Sequence, residues 1–83
     1  MSRLRKMSAS DVLRALASFG FAVMKIRGSH AKLRRVLKHG ERQTLSVPIH
    51  KSIAPGTLRA IYRQALRFIP EEDLKPWFFH QDR

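Results

Sequence analysis

The sequence predicts a small α+β domain of order α-β-β-β-α, because helical periodicity toward each end brackets a central stretch in which apolar and polar residues alternate. Glycine-containing turns cut that stretch into three runs of strand length. Eighty-three residues hold one domain and one modest core. The expectation is therefore a single unit over 1–83, with its core at about 9–68 and a C-terminal extension over 69–83.

Residues 1–7 form a basic arm without a pattern. Ser8 and Asp11 stand at the spacing of a capping box, so the first helix is expected over 9–19. Val12, Leu13, Leu16 and Phe19 fall on one face, Arg14 and Ser18 point away, and Gly20 supplies a left-handed stop. Residues 21–27 are rich in strand formers, Gly28-Ser29 marks a turn, and 30–38 alternate clearly. After a second turn at 39–42, Leu45, Val47 and Ile49 form one face of a third strand, and Thr44, Ser46 and His50 the other. Pro48 favours an edge position for it.

From Pro55 the period becomes helical again, over about 56–68. Leu58, Ile61, Tyr62, Ala65 and Ile69 make an apolar stripe and Arg59, Arg63 and Arg67 a basic one. Pro70 is expected to open a short third helix whose Glu71, Glu72 and Asp73 suit the positive end of its dipole, and Pro76 to end it. Trp77-Phe78-Phe79 is too aromatic for an idle terminus; it either folds back onto the core, the preferred reading, or meets a partner. Two helices on one face of a three-stranded antiparallel sheet leave its other face to solvent. This is the arrangement of the double-stranded RNA-binding fold.

Successive strand residues point to opposite sides of a sheet. Burying Ala31, Leu33 and Leu37 sends His30, Lys32, Arg34 and Lys38 outward, to the face that also takes Thr44, Ser46 and His50. Burying Ala22, Met24 and Ile26 would add Lys25 and Arg27. A phosphate backbone is held by such a track of cations and hydroxyls without base-edge readers. Lys51, Ser52 and the Gly56-Thr57 backbone stand at the start of the second main helix, where anions are favoured. Against that anchor stands the plain reading of Lys51 as a solvated lysine and Thr57 as an ordinary helix-start hydroxyl.

Charge narrows the partners. Seventeen Lys and Arg face six Asp and Glu, and only Asp11 and Glu41 among the acids precede residue 70, so the partner is expected to be a polyanion. Without cysteine there is neither a disulfide framework nor a thiolate metal site, which is compatible with a reducing, cytoplasmic location. The histidines, at 30, 39, 50 and 80, lack metal-site spacing, and no phosphate-binding glycine loop or nucleophile elbow is present, so no metal and no cofactor are expected. No apolar run reaches the ~18 residues of a membrane span, and no membrane role is expected. RNA can be cut without metal when one group takes the 2′-hydroxyl proton, another protonates the leaving oxygen, and cations stabilise the phosphorane. Histidine suits either proton transfer near neutral pH, and His30 stands among Lys25, Arg27, Lys32 and Arg34.

Arg27-Gly28-Ser29-His30, then Val47-Pro48-Ile49-His50, then Pro55-Gly56-Thr57-Leu58-Arg59-Ala60-Ile61, in that order and spacing, resemble the HicA (YcfA-like) mRNA interferase family over about residues 9–67. The resemblance implies a toxin of a type II toxin-antitoxin system: a metal-independent endoribonuclease that cleaves mRNA and is neutralised by an acidic HicB-type antitoxin. It maps the catalytic histidine onto His30, places Gly28 and Ser29 in the same motif, and matches His50 to a second histidine that supports the site or contacts substrate. The segment 70–83 runs past the family's usual end and leaves the oligomeric state open between a homo-oligomer and a toxin-antitoxin hetero-oligomer. Two other readings share the charge pattern: a noncatalytic RNA- or DNA-binding module, and an interaction protein that docks an acidic partner.

Overall fold

In the computed structural model, residues 3–80 are described, in the order β1 (Arg3–Leu4), α1 (Ala9–Ala17), β2 (Ala22–Arg27), β3 (His30–Val36), β4 (Arg42–Pro48), α2 (Pro55–Ala65), α3 (Glu71–Phe78) and β5 (Phe79–His80). The fold is α+β, with β2, β3 and β4 forming an antiparallel sheet in that order. The capping box is formed: the Asp11 amide donates to Ser8 Oγ (3.1 Å) and the Ser8 amide to Asp11 Oδ2 (2.9 Å). Those bonds, the one from the Ser8 backbone foremost, hold the Asp11 carboxyl below its usual range. At the other end of the helix Gly20 takes φ 93°, where a side chain would be strained and its Cβ would stand 3.3 Å from Arg35 Cδ. That turn drops Phe21 into the core, 2% exposed.

Alternation sorts the middle of the sheet as expected. Ala31, Leu33, Leu45 and Val47 are buried beneath Val12, Leu16, Leu58, Ile61 and Ala65 of α1 and α2, while His30, Lys32, Thr44 and Ser46 lie exposed on the opposite face. The expectation for the first strand fails. Ala22, Met24 and Ile26 are all exposed, because a register shift between Val23 and Lys25 reverses the strand's first residues and the helices lie over β4 rather than β2. Ala22 consequently pairs with Arg34 on the open face, and Val23 and Ile26, opposite the buried Leu33 and Ala31, remain 43% and 61% exposed. Ile49 is also exposed rather than buried, since β4 stops at Pro48. Leu37, expected inside, is only half-buried beyond the end of β3.

Both sheet edges end the ladder differently. Along β4, as Pro48 suggested, the strand lies at an edge, and Gln64 of α2 satisfies the outward backbone: Ser46 N donates to Gln64 Oε1 (3.1 Å) and Gln64 Nε2 to the Ser46 carbonyl (3.4 Å). Arg35 ties three elements together. Its guanidinium donates to Gln43 Oε1 (2.9 and 2.6 Å) and to the carbonyls of Phe19 (2.9 Å) and Phe68 (3.0 Å), and it lies 4.7 Å from the Phe21 ring centre.

The chain ends depart most from expectation. The arm is not patternless: Arg3 and Leu4 pair with His80 and Phe79, and the Arg5 amide donates to the Phe78 carbonyl (2.8 Å). Pro76 lies inside α3 instead of ending it. Proline lacks only its own N–H, so the last turn forgoes one bond and the helix continues to Phe78. Phe78 is fully buried 5.4 Å from the Tyr62 ring, Phe79 stands edge-on to the same ring, and half-exposed Trp77 meets Phe19, so the aromatic tail folds back. Met7, Ile69, Leu74 and Phe78 belong to the same buried cluster as the helix and sheet residues.

Candidate nucleic-acid interface

The β2–β3–β4 register lays the open face out in rows. Arg27, His30 and Pro48 form the first; Lys25, Lys32 and Ser46 the second; Ala22, Arg34 and Thr44 the third. Lys25, Arg27, His30, Lys32 and Ser46 together line a shallow cavity of about 250 Å³ with no carboxylate in its wall. Four positive or protonatable side chains thus share one small concavity, within which unscreened repulsion would relax on binding an anion. Arg34 is half-buried beside it, and its Nε has no hydrogen-bond partner.

The turn that delivers His30 is built by Gly28, which takes φ 58° and has open space where a side chain would stand. Ser29 follows, and its Oγ lies 3.4 Å from His30 Nδ1, at the long end of hydrogen-bonding range. Its carbonyl also accepts from the Ile49 amide at 2.6 Å, which pins the turn to the end of β4.

Not every predicted site residue joins this cluster. His50 lies past the end of β4, where its carbonyl accepts from the Ala9 amide (2.9 Å), and with Lys51 it borders a separate cavity of about 240 Å³ against Ser8 and Ser10. The loop from Ile49 turns toward α1, so strand parity ceases to apply before His50 is reached. Thr57 is exposed in the first turn of α2 and lines neither cavity. A larger cavity, unforeseen from the sequence, lies between the arm and the start of α2. Among the described residues, no three His, Cys, Asp or Glu side chains come together as a metal-ligand set, and no helix is long and apolar enough to cross a membrane.

An α-β-β-β-α core with one sheet face covered by helices and the other lined with cations defines a small basic domain of the sheet-surface binding kind. The model of the family described as HicA toxin of bacterial toxin-antitoxin matches residues 9–66, from the first residue of α1 to just beyond α2. The chain belongs to this HicA toxin family, and membership in a toxin-antitoxin system implies an antitoxin as partner. No curated protein and no solved structure gives a significant match.

Proposed function

We propose that this toxin is a metal-independent endoribonuclease that cuts mRNA in the cytoplasm, acts as one domain over 1–83, and is neutralised by a HicB-type antitoxin. The observation that carries the reading is the placement of His30 in one cavity with Lys25, Arg27 and Lys32. Phosphodiester oxygens are drawn to the three cations, with the Ser46 hydroxyl as a neutral donor. Arg34, Lys51 and Thr57 extend the contact along the strand, and His50 takes substrate at the neighbouring cavity.

Ser29 engages Nδ1 of His30 and leaves Nε2 for proton transfer. As general base, Nε2 takes the 2′-hydroxyl proton while that oxygen attacks the adjacent phosphorus. The bond from phosphorus to the 5′-oxygen breaks, and the departing oxygen takes a proton from a second donor on the face. The products are a 2′,3′-cyclic phosphate and a 5′-hydroxyl, and no oxidant or metal enters the balance. Charge growing on the phosphorane is stabilised by Arg27, Lys25 and Lys32, which are already in place before substrate arrives.

Purified protein should cut a defined RNA in the presence of EDTA and leave cyclic or 3′-phosphate ends. His30→Ala should lose roughly 10²–10⁴ of the rate while remaining folded and retaining RNA. A folded H30A protein that cuts at the wild-type rate would remove His30 from the mechanism. Loss of cleavage in EDTA with recovery in magnesium would overturn the metal-free scheme. Retention of RNA without any shortened product would leave a noncatalytic binding module.

A further inference from the structure

The largest cavity of the described residues, about 650 Å³, is not on the sheet face. It is enclosed by the arm residues Arg3, Arg5 and Lys6 on one side and by Arg59 of α2 with the preceding loop, Ser52 to Pro55, on the other. Four cations converge there, and no carboxylate lines the wall. The nearest acid of the adjoining surface, Asp11, is engaged by the Ser8 amide and by Arg14 (3.5 Å). Arg5 is half-buried, with its Nε lacking any hydrogen-bond partner. Holding like charges around one concavity is unfavourable unless an anion offsets them, and guanidinium groups present paired donors suited to phosphate oxygens.

The cavity exists because the arm is fixed. Pairing of Arg3 and Leu4 with His80 and Phe79, together with donation from the Ile53 amide to the Met7 carbonyl (3.0 Å), brings the arm against the loop before α2. Arg3, Arg5 and Lys6 precede the family-matched segment 9–66, and so do not belong to the part of the chain shared with the family. The cavity is also within reach of the sheet face. Pro48 sits beside His30, and three residues separate it from Ser52, so chain length alone keeps the two sites within roughly 20 Å. His50 and Lys51 lie on the connecting loop.

We infer that the cavity between the arm and α2 is a second phosphate-binding site, which holds a phosphodiester of the same RNA strand several nucleotides away from the one at His30. This rests on the reading of the sheet face as an RNA surface. The site lengthens the footprint and fixes the strand's direction across the domain, so short RNAs engage only the sheet face and longer ones engage both.

Binding to 2′-O-methyl RNA, which lacks the attacking hydroxyl, tests this with the full chain. A trinucleotide and an RNA of about 12 nucleotides would be titrated at several salt concentrations against wild type and a Lys6→Ala/Arg59→Ala variant, both exposed positions. For the longer RNA, the slope of log affinity against log salt should become shallower by about 1.4, because each lost phosphate contact on a single strand contributes roughly 0.7. Trinucleotide binding should be unchanged. An Arg63→Ala/Arg67→Ala variant, removing the same charge elsewhere on α2, should keep the wild-type slope. A K6A/R59A slope equal to wild type on the longer RNA overturns the second site while leaving the sheet face standing. Equal losses on both RNAs, or an equal loss in the Arg63/Arg67 variant, also overturn it, since they report only the overall field. If wild type binds neither RNA, the reading of the sheet face fails and this inference fails with it.

Discussion

Replacing Arg35 with alanine would remove a charge that the fold uses and the RNA face does not. The guanidinium makes four hydrogen bonds, two to Gln43 Oε1 and one each to the Phe19 and Phe68 carbonyls, and joins β3 and β4 to the segments that follow α1 and α2. A hydrogen bond involving a charged group contributes about 1.5–3 kcal/mol net, and an abandoned buried acceptor costs about 1–3 kcal/mol. Gln43, 8% exposed, would be such an acceptor, whereas the two carbonyls can partly recover water. The contacts form one network and do not add, so the expected loss is about 3 kcal/mol, or a fall in Tm of roughly 12–24 °C for a domain of this size. Thermal unfolding followed by circular dichroism reads it directly. Arg35→Lys keeps the charge without the fork and should recover less than half of the loss. At a temperature where R35A is folded, its salt dependence of RNA binding should match wild type. A Tm change below about 4 °C, equivalent to less than about 1 kcal/mol, would refute the assignment of Arg35 as the cross-link.

Two further outcomes probe the C-terminal segment. Phe78→Ala should lower stability by about 3–5 kcal/mol in denaturant unfolding, because the ring is fully buried against Tyr62; a wild-type midpoint would show that the segment after α2 is dispensable to the core. Tyr62 donates to Glu71 Oε2 (3.1 Å), and burial first, then that bond, pushes its phenol up to about 12 from 10.0. The neutral phenol is thus favoured in the folded state, so its contribution is complete below pH 10 and is lost as pH climbs from about 10 to 12. Over that window the stability advantage of wild type over Tyr62→Phe should shrink by about 2 kcal/mol, and a constant difference would contradict the shift.

Local signals carried most of the fold. The Ser8–Asp11 box, the Gly20 stop, the alternation on β3 and β4, and the apolar stripe of α2 each depend on residues within a few positions of one another, and each is realised. Parity alone also put His30 and Lys32 on the open side of the sheet. On β2 it succeeded only after the irregularity: Lys25 and Arg27 face outward opposite Lys32 and His30, but Ala22 and Val23 are reversed, because a single extra residue flips every side chain before it. His50 was misplaced for a related reason, as alternation was carried past the point where β4 ends.

The amino-acid sequence by itself determined the order of elements, the cationic character of the open face and the motif that contains His30, since periodicity, composition and turn chemistry are properties of neighbouring residues. Only the tertiary structure decided that the arm pairs with the tail, that α3 runs through Pro76, that Arg35 turns inward to Gln43 while Arg34 stays on the open face, and that four cations from distant segments enclose one cavity. Those outcomes depend on contacts across up to 77 positions, Arg3 to His80, where a two-residue strand carries no period and the pairing is fixed by packing of the whole core.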